Sequence, residues 1–105
     1  MILEVAILDV RPGMETSFHA DFLTAQKIIS SMDGYTGHEL QRCVENPSRH
    51  ILLVRWESLE DHTEGFRRSA EYRDWKRLLH HYYETLPVVE HYEAVEFGTA
   101  VDKRL

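Results

Sequence analysis

Apolar residues run almost unbroken through residues 2–10, with only Glu4 and Asp9 interrupting, which predicts a strand covered for much of its width. Arg11-Pro12-Gly13 breaks it. From Met14 the period changes. Phe18, Phe22, Ala25, Ile29 and Met32 fall four, three, four and three apart, the apolar stripe of a helix that Asp33-Gly34 ends. Residues 35–44 alternate without a wholly apolar side. Tyr35, Gly37, Glu39, Gln41 and Cys43 share one face, and Thr36, His38, Leu40, Arg42 and Val44 the other, so this strand is expected at a sheet edge or lining a pocket. Asn46-Pro47-Ser48 predicts a hairpin into the apolar run Ile51-Leu52-Leu53-Val54, which ends in Arg55-Trp56-Glu57.

Ser58 and Asp61 have the spacing of a capping box. The helix they open is short and breaks near Arg67-Arg68-Ser69. A second helical stretch is predicted over 70–83, with Tyr72, Trp75, Leu79 and Tyr82 as its inner stripe. Beyond Pro87, residues 88–97 read as the last strand and 98–105 as a short polar tail. The order β-α-β-β-α-β predicts a ferredoxin-like α+β fold. Two helices cover one face of a four-stranded antiparallel sheet whose first and third strands are central. Both of those strands are apolar on both sides: Val5 and Ile7 against Ala6 and Leu8, Ile51 and Leu53 against Leu52 and Val54. A monomer would leave one face in water, so a homodimer packed sheet to sheet is expected.

Composition narrows the function classes. At 105 residues the chain is expected to be a single domain over 1–105, with a core that a partner subunit would reinforce. Twelve Lys plus Arg against 18 Asp plus Glu give a net charge of -6, which argues against nucleic-acid or acidic-membrane partners. The lone Cys43 has no intrachain disulfide partner. No apolar run is long enough to span a membrane and the N-terminal residues lack a signal-peptide pattern, so the cytoplasm is the expected compartment. The five glycines are scattered, which excludes a P-loop or Rossmann phosphate cradle. The seven histidines include no pair at helical spacing, and His80 and His81 point about 100° apart on a helix; no metal site is expected.

The aromatic residues carry more. Tyr72, Trp75 and Tyr82 face the sheet, and Trp56 ends a central strand. They either fill the core or wall a pocket that the broken helix leaves open, edged by His38 and Arg42 of the second strand. Such a lining suits a flat aromatic ligand. His62, just after the capping box, is either a surface residue or a pocket residue. Arg67-Arg68 is either a solvated turn or a guide for an anionic substrate.

Four stretches carry a resemblance: the Pro12-Gly13 turn, Met32-Asp33-Gly34-Tyr35, Arg55-Trp56-Glu57-Ser58, and Ser69-Ala70-Glu71-Tyr72. Over residues 2–97 the chain resembles the antibiotic biosynthesis monooxygenase domain family, the dimeric α+β barrels. The family contains oxygenases of phenols and quinols that use neither metal nor flavin, haem-degrading enzymes, and an isomerase-like signal-processing branch. Many members place a histidine on the short second helix where this chain has Gly65. The tryptophan and haem-ligating histidine of the haem-degrading branch fall near Gly65-Phe66 and about Lys76, where neither occurs, leaving only His80 or His81 in a shifted register. The resemblance therefore implies cofactor-independent oxidation of an electron-rich aromatic (phenol, quinol or anthrone-like) by dioxygen, with no bound cofactor or metal.

On that implication Tyr72, Trp75 and His38 are the leading catalytic candidates, with His62 and His81 behind them. Trp56, Arg42, Phe66 and Tyr82 are the substrate-binding candidates. A histidine suits proton transfer near neutrality. Tyr72 and the Trp75 ring nitrogen would donate hydrogen bonds, and Arg42 would favour an anion. The competing readings are a non-catalytic binder of a small aromatic molecule, a purely structural dimerisation domain, and haem binding or degradation.

Overall fold

The computed structural model describes residues 1–97; the polar tail expected over 98–105 lies outside them. The elements are β1 (Ile2–Asp9), α1 (Glu15–Ile29), β2 (Tyr35–Arg42), β3 (Arg49–Trp56), a π-helical turn (Asp61–Phe66), α2 (Ala70–Leu79), a 3₁₀ turn (His80–Tyr82) and β4 (Val88–Tyr92). They form one antiparallel sheet in the order β2-β3-β1-β4, with β1 and β3 central, as the ferredoxin-like pattern requires.

Parity decides the two faces. Ala6 and Leu8 of β1 and Leu52, Val54 and Trp56 of β3 are buried under the helices. They meet Phe18, Phe22, Ala25 and Ile29 of α1, and Phe66, Trp75, Leu79 and Tyr82 from the second helical region. Phe18 is wholly buried, and burying such a ring contributes roughly 1.5–3 kcal/mol. On the opposite face Leu3, Val5, Ile7, Ile51 and Leu53 are only half-buried. That face carries the aligned pairs Val5–Leu53 and Ile7–Ile51, and among the described residues no helix covers it.

Three expectations are corrected in detail. The last strand stops at Tyr92 instead of reaching Phe97, and Val95 and Phe97 are 74% and 90% exposed. The helix expected over 70–83 ends at Leu79, and a 3₁₀ turn carries Tyr82 into the core. The face assignment of β2 changes at its start, where the register slips between Tyr35 and Gly37. Thr36 is the extra residue, so Tyr35 comes to the same side as His38. Its hydroxyl pairs with His38 Nδ1 at 2.5 Å and its ring meets Trp56 edge-on.

Gly34 fixes how the chain re-enters the sheet. Its φ of +82° is the left-handed region, and a Cβ there would overlap the Asp61 side chain. Its carbonyl accepts from Glu57 N at 2.8 Å. Asp61 in turn opens the π-helical turn, where Ser58 Oγ accepts from Asp61 N at 3.2 Å, the N-cap bond expected from the sequence.

Candidate active site

The wide π-helical turn and α2 do not close completely on the sheet. Between them lies a cavity of about 230 Å³. Glu4, Ala6, Leu8, Leu52 and Val89 form its sheet wall; His62, Phe66, Arg67, Tyr72, Trp75 and His80 form the helical wall. Tyr83, Leu86 and Pro87 complete it from the chain that leads into β4. Phe66 meets both Tyr72 and Trp75 edge-on, at 5.1 and 5.6 Å between ring centroids. Arg67 and Leu86 are exposed at the mouth.

The floor of this apolar space is polar. Glu4 is 5% exposed and His62 3%. Trp56 Nε1 donates to Glu4 Oε1 at 3.0 Å, and His62 Nε2 lies 3.3 Å from the same oxygen. His62 Nδ1 pairs with His91 Nε2 at 2.7 Å, and the His62 ring stacks on Trp56 at 5.4 Å. The register makes this cluster, since Glu4 of β1 lies opposite His91 of β4. The π-helical hydrogen bond from Arg67 N to His62 O, 3.0 Å long, holds His62 over the same spot.

Burial dominates the electrostatics. It pushes the Glu4 carboxyl up, against the hydrogen bond from Trp56 and the positive charge of Arg67. It pushes His62 down to about 3, helped by Arg67 and His91. The Glu4–His62 contact has the spacing of an ion pair, but both shifts favour the uncharged forms. It is a close polar contact between a neutral imidazole and the carboxyl oxygen, 3.3 Å long. His62 Nδ1 pairs with His91 Nε2 and its Nε2 faces Glu4 Oε1, so both ring nitrogens have a polar neighbour. Burial also raises Tyr72 and lowers His80.

Of the residues singled out in the sequence, Tyr72, Trp75, His62 and Phe66 meet at this cavity. Trp56 lies beneath it, fully buried, and acts on it through Glu4. The others lie elsewhere. His38 packs toward α1, with Tyr35 on Nδ1 and Gln26 Oε1 on Nε2 at 2.9 Å. Tyr82 turns its hydroxyl to Asp21 at 2.5 Å. His81 is exposed beside the Tyr82 ring, and Arg42 lines a depression at the far end of β2 with Cys43 and His50. Arg67, named as a possible guide for an anionic substrate, and His80 also line the cavity, whereas Glu4 and His91 have no role in the sequence reading. One signal for Glu4 was available, a carboxylate at the inward parity of a central strand. Among the described residues no three His, Cys, Asp or Glu side chains are arranged to hold a metal ion, and no helix is long and apolar enough to cross a membrane.

The family model for antibiotic biosynthesis monooxygenases matches residues 1–78. The uncharacterized protein YczJ of Bacillus subtilis (strain 168) is 50% identical over 95 residues, 90% of this chain and 100% of that one. A crystal structure from Bordetella bronchiseptica, provisionally described as an antibiotic biosynthesis monooxygenase, is 34% identical with a TM-score of 0.87, covering 90% of this chain and 97% of that one. SnoaB, a cofactor-independent oxygenase from Streptomyces nogalater, aligns with a TM-score of 0.78 over 90% of this chain and 93% of its own. At 13% identity that likeness is one of fold.

Proposed function

Since the chain belongs to the antibiotic biosynthesis monooxygenase family, we propose that it is a cofactor-independent monooxygenase of an electron-rich aromatic, a phenol, quinol or anthrone-like compound. It works as one domain in a cytoplasmic homodimer whose second copy covers the half-buried sheet face. The observation that supports the reading is a cavity walled by Phe66, Tyr72 and Trp75 whose floor holds the buried cluster of Glu4, Trp56 and His62.

Aromatic walls hold a flat ring by stacking and edge contacts. Loss of a hydroxyl proton makes the ring electron-rich enough to reduce dioxygen. For a simple phenol the balance is one phenol plus one dioxygen giving one quinone and one water, with all four electrons supplied by the ring. The protein binds the ring, takes the first proton and stabilises the oxyanion as charge develops. Tyr72 and the Trp75 ring nitrogen are the hydrogen-bond donors of this scheme, and Arg67 at the mouth supplies positive charge.

Oxygen uptake with hydroquinones, naphthohydroquinones and anthrone tests this directly. Turnover by the wild type, with a shift toward the larger rings in Trp75→Ala, supports the oxygenase. Saturable ligand binding without oxygen consumption across the whole panel would replace it with the non-catalytic binder.

A further inference from the structure

We infer that Glu4 is the group that takes the substrate's hydroxyl proton, at Oε2, that His62 is its positioning residue, and that the ligand is a hydroxyarene of one or two rings. The inference rests on the aromatic-ligand reading of the cavity and deepens it.

The two carboxylate oxygens are not equivalent. Oε1 receives Trp56 Nε1–H and faces His62 Nε2. The Trp56 N–H is bonded to Oε1 and His62 crowds the same oxygen, so protonation falls to the other oxygen. Among the described residues Oε2 has no hydrogen-bond partner, yet no buried side-chain oxygen or nitrogen lacks one, so Oε2 retains accessible surface. Glu4 sits on the helix-covered side of a central strand and lines the cavity, which is the space onto which Oε2 opens. A carboxylate held out of water, with one oxygen fixed and the other facing an apolar slot, is a poised acceptor for an O–H.

The other groups around the cavity do not compete. His62 has Nδ1 taken by His91 and Nε2 turned to Glu4 Oε1. Arg67 has no acceptor. Tyr72 and Tyr83 are phenols that burial raises further, and burial lowers His80. Volume sets the ligand's size. An apolar cavity of about 150 Å³ holds a benzene ring, so about 230 Å³ is room for one or two rings.

The probes are 2-naphthol, a neutral O–H donor across the working range, and 2-methoxynaphthalene, the same rings without the proton. Their affinities are measured by fluorescence titration from pH 4 to 8. A hydrogen bond to an ionised acceptor predicts that wild type prefers the naphthol by at least about tenfold at pH 8. The preference falls as pH drops through the raised value of Glu4 and is lost by pH 4. The titratable or charged groups facing Glu4 are His62, Arg67, Tyr72, His80, Tyr83 and His91. Of these only Glu4 accepts the ligand's proton, so Glu4→Gln loses the preference at every pH while binding the ether within about threefold of wild type. His62→Phe keeps a ring and removes the polar nitrogen that faces Oε1. It moves the pH at which the preference disappears upward, which a merely structural role would not do.

A preference retained in Glu4→Gln overturns the assignment. So does a wild-type preference that is flat from pH 4 to 8, which decides the matter even if the variant does not fold. Binding of neither probe overturns it together with the aromatic reading beneath it. The predicted preference without oxygen uptake from any quinol removes the oxygenase reading and leaves Glu4 as the proton acceptor.

Discussion

Trp56→Phe tests whether an ionised Glu4 is what the indole serves. The substitution keeps an aromatic ring but deletes the N–H that Glu4 Oε1 accepts at 3.0 Å. Both residues are buried, so water does not replace the donor. A hydrogen bond to an ionised group contributes roughly 1.5–3 kcal/mol and a neutral one about 1 kcal/mol. Burial already holds Glu4 above its ordinary value of 4.5, and the Trp56 hydrogen bond is the largest influence opposing that shift. Without it the folded-state value rises further. At pH 8 the variant lacks a bond to a carboxylate; at pH 4 folded Glu4 is protonated in both proteins and only a neutral bond is missing. The deficit at pH 8 should therefore exceed that at pH 4 by about 1 kcal/mol. For a domain of this size that is about 4–8 °C in Tm. The packing lost with the smaller ring is the same at both pH values and cancels. Thermal or urea unfolding of both proteins at equal chain concentration provides the measurement. Deficits of equal size at pH 4 and pH 8 would refute the reasoning, because Glu4 would then not be changing charge beneath the indole.

Gly34→Ala should destabilise by at least ~2 kcal/mol, since a left-handed non-glycine residue alone costs about 1–2 kcal/mol and the new Cβ overlaps Asp61. Adding Asp61→Ala should recover the steric part, and additive losses in the double variant would contradict that overlap. Native His62 sits near 3 against 6.5 when unfolded, so the unfolded chain binds the extra proton between those values and stability falls as pH drops through 6.5. Urea midpoints should show His62 alone removing about 2 kcal/mol between pH 7.5 and 5. His62→Phe should flatten that slope; the downward shifts of His38, His50, His80 and His91 act in the same direction and remain. Leu53→Lys puts a charge at the centre of the uncovered sheet face, opposite Val5. Sedimentation should show a dimer for wild type and a monomer for the variant, and an unchanged dimer would place the interface elsewhere.

Where burial follows a period, the fold was legible from the chain. The stripe Phe18, Phe22, Ala25 and Ile29 is buried as read, and the apolar runs of β1 and β3 are the two central strands. Features set by a neighbour were not. β4 is only as long as the edge it lies on, because Tyr92 is already opposite Leu3, next to the first residue of β1. Alternation in residues 93–97 therefore finds no ladder to join. The bulge at Thr36 reverses Tyr35, and no local signal marks it. The site suffers most from this. Glu4, His62 and His91 come from two strands and a π-helical turn, and only the β1–β4 register and the wide turn bring them together. His38 and Arg42 were assigned to the cavity by strand parity alone. The length of β2 carries Arg42 to the far end of the sheet, and α1 takes up His38.

A buried carboxylate at the centre of a small core is a stability cost, and its sign gives one more test. Because the folded-state value of Glu4 is raised, ionisation is less favourable in the folded chain than in the unfolded one, even with the Trp56 hydrogen bond in place. The cost therefore grows as pH rises from the unfolded value near 4.5 and is complete above the folded value, at about 1.4 kcal/mol for each unit of elevation; below 4.5 it is gone. Glu4→Gln keeps an oxygen for the Trp56 N–H and never ionises. It should be more stable than wild type at pH 8, and the two should converge by pH 4. The same substitution removes the proton acceptor, so gained stability and lost naphthol preference should appear together, as expected where a functional group is held at the expense of the core. A Glu4→Gln protein less stable than wild type at pH 8 would mean that the carboxylate is held by charge. The cluster would then be an ion pair that serves the fold.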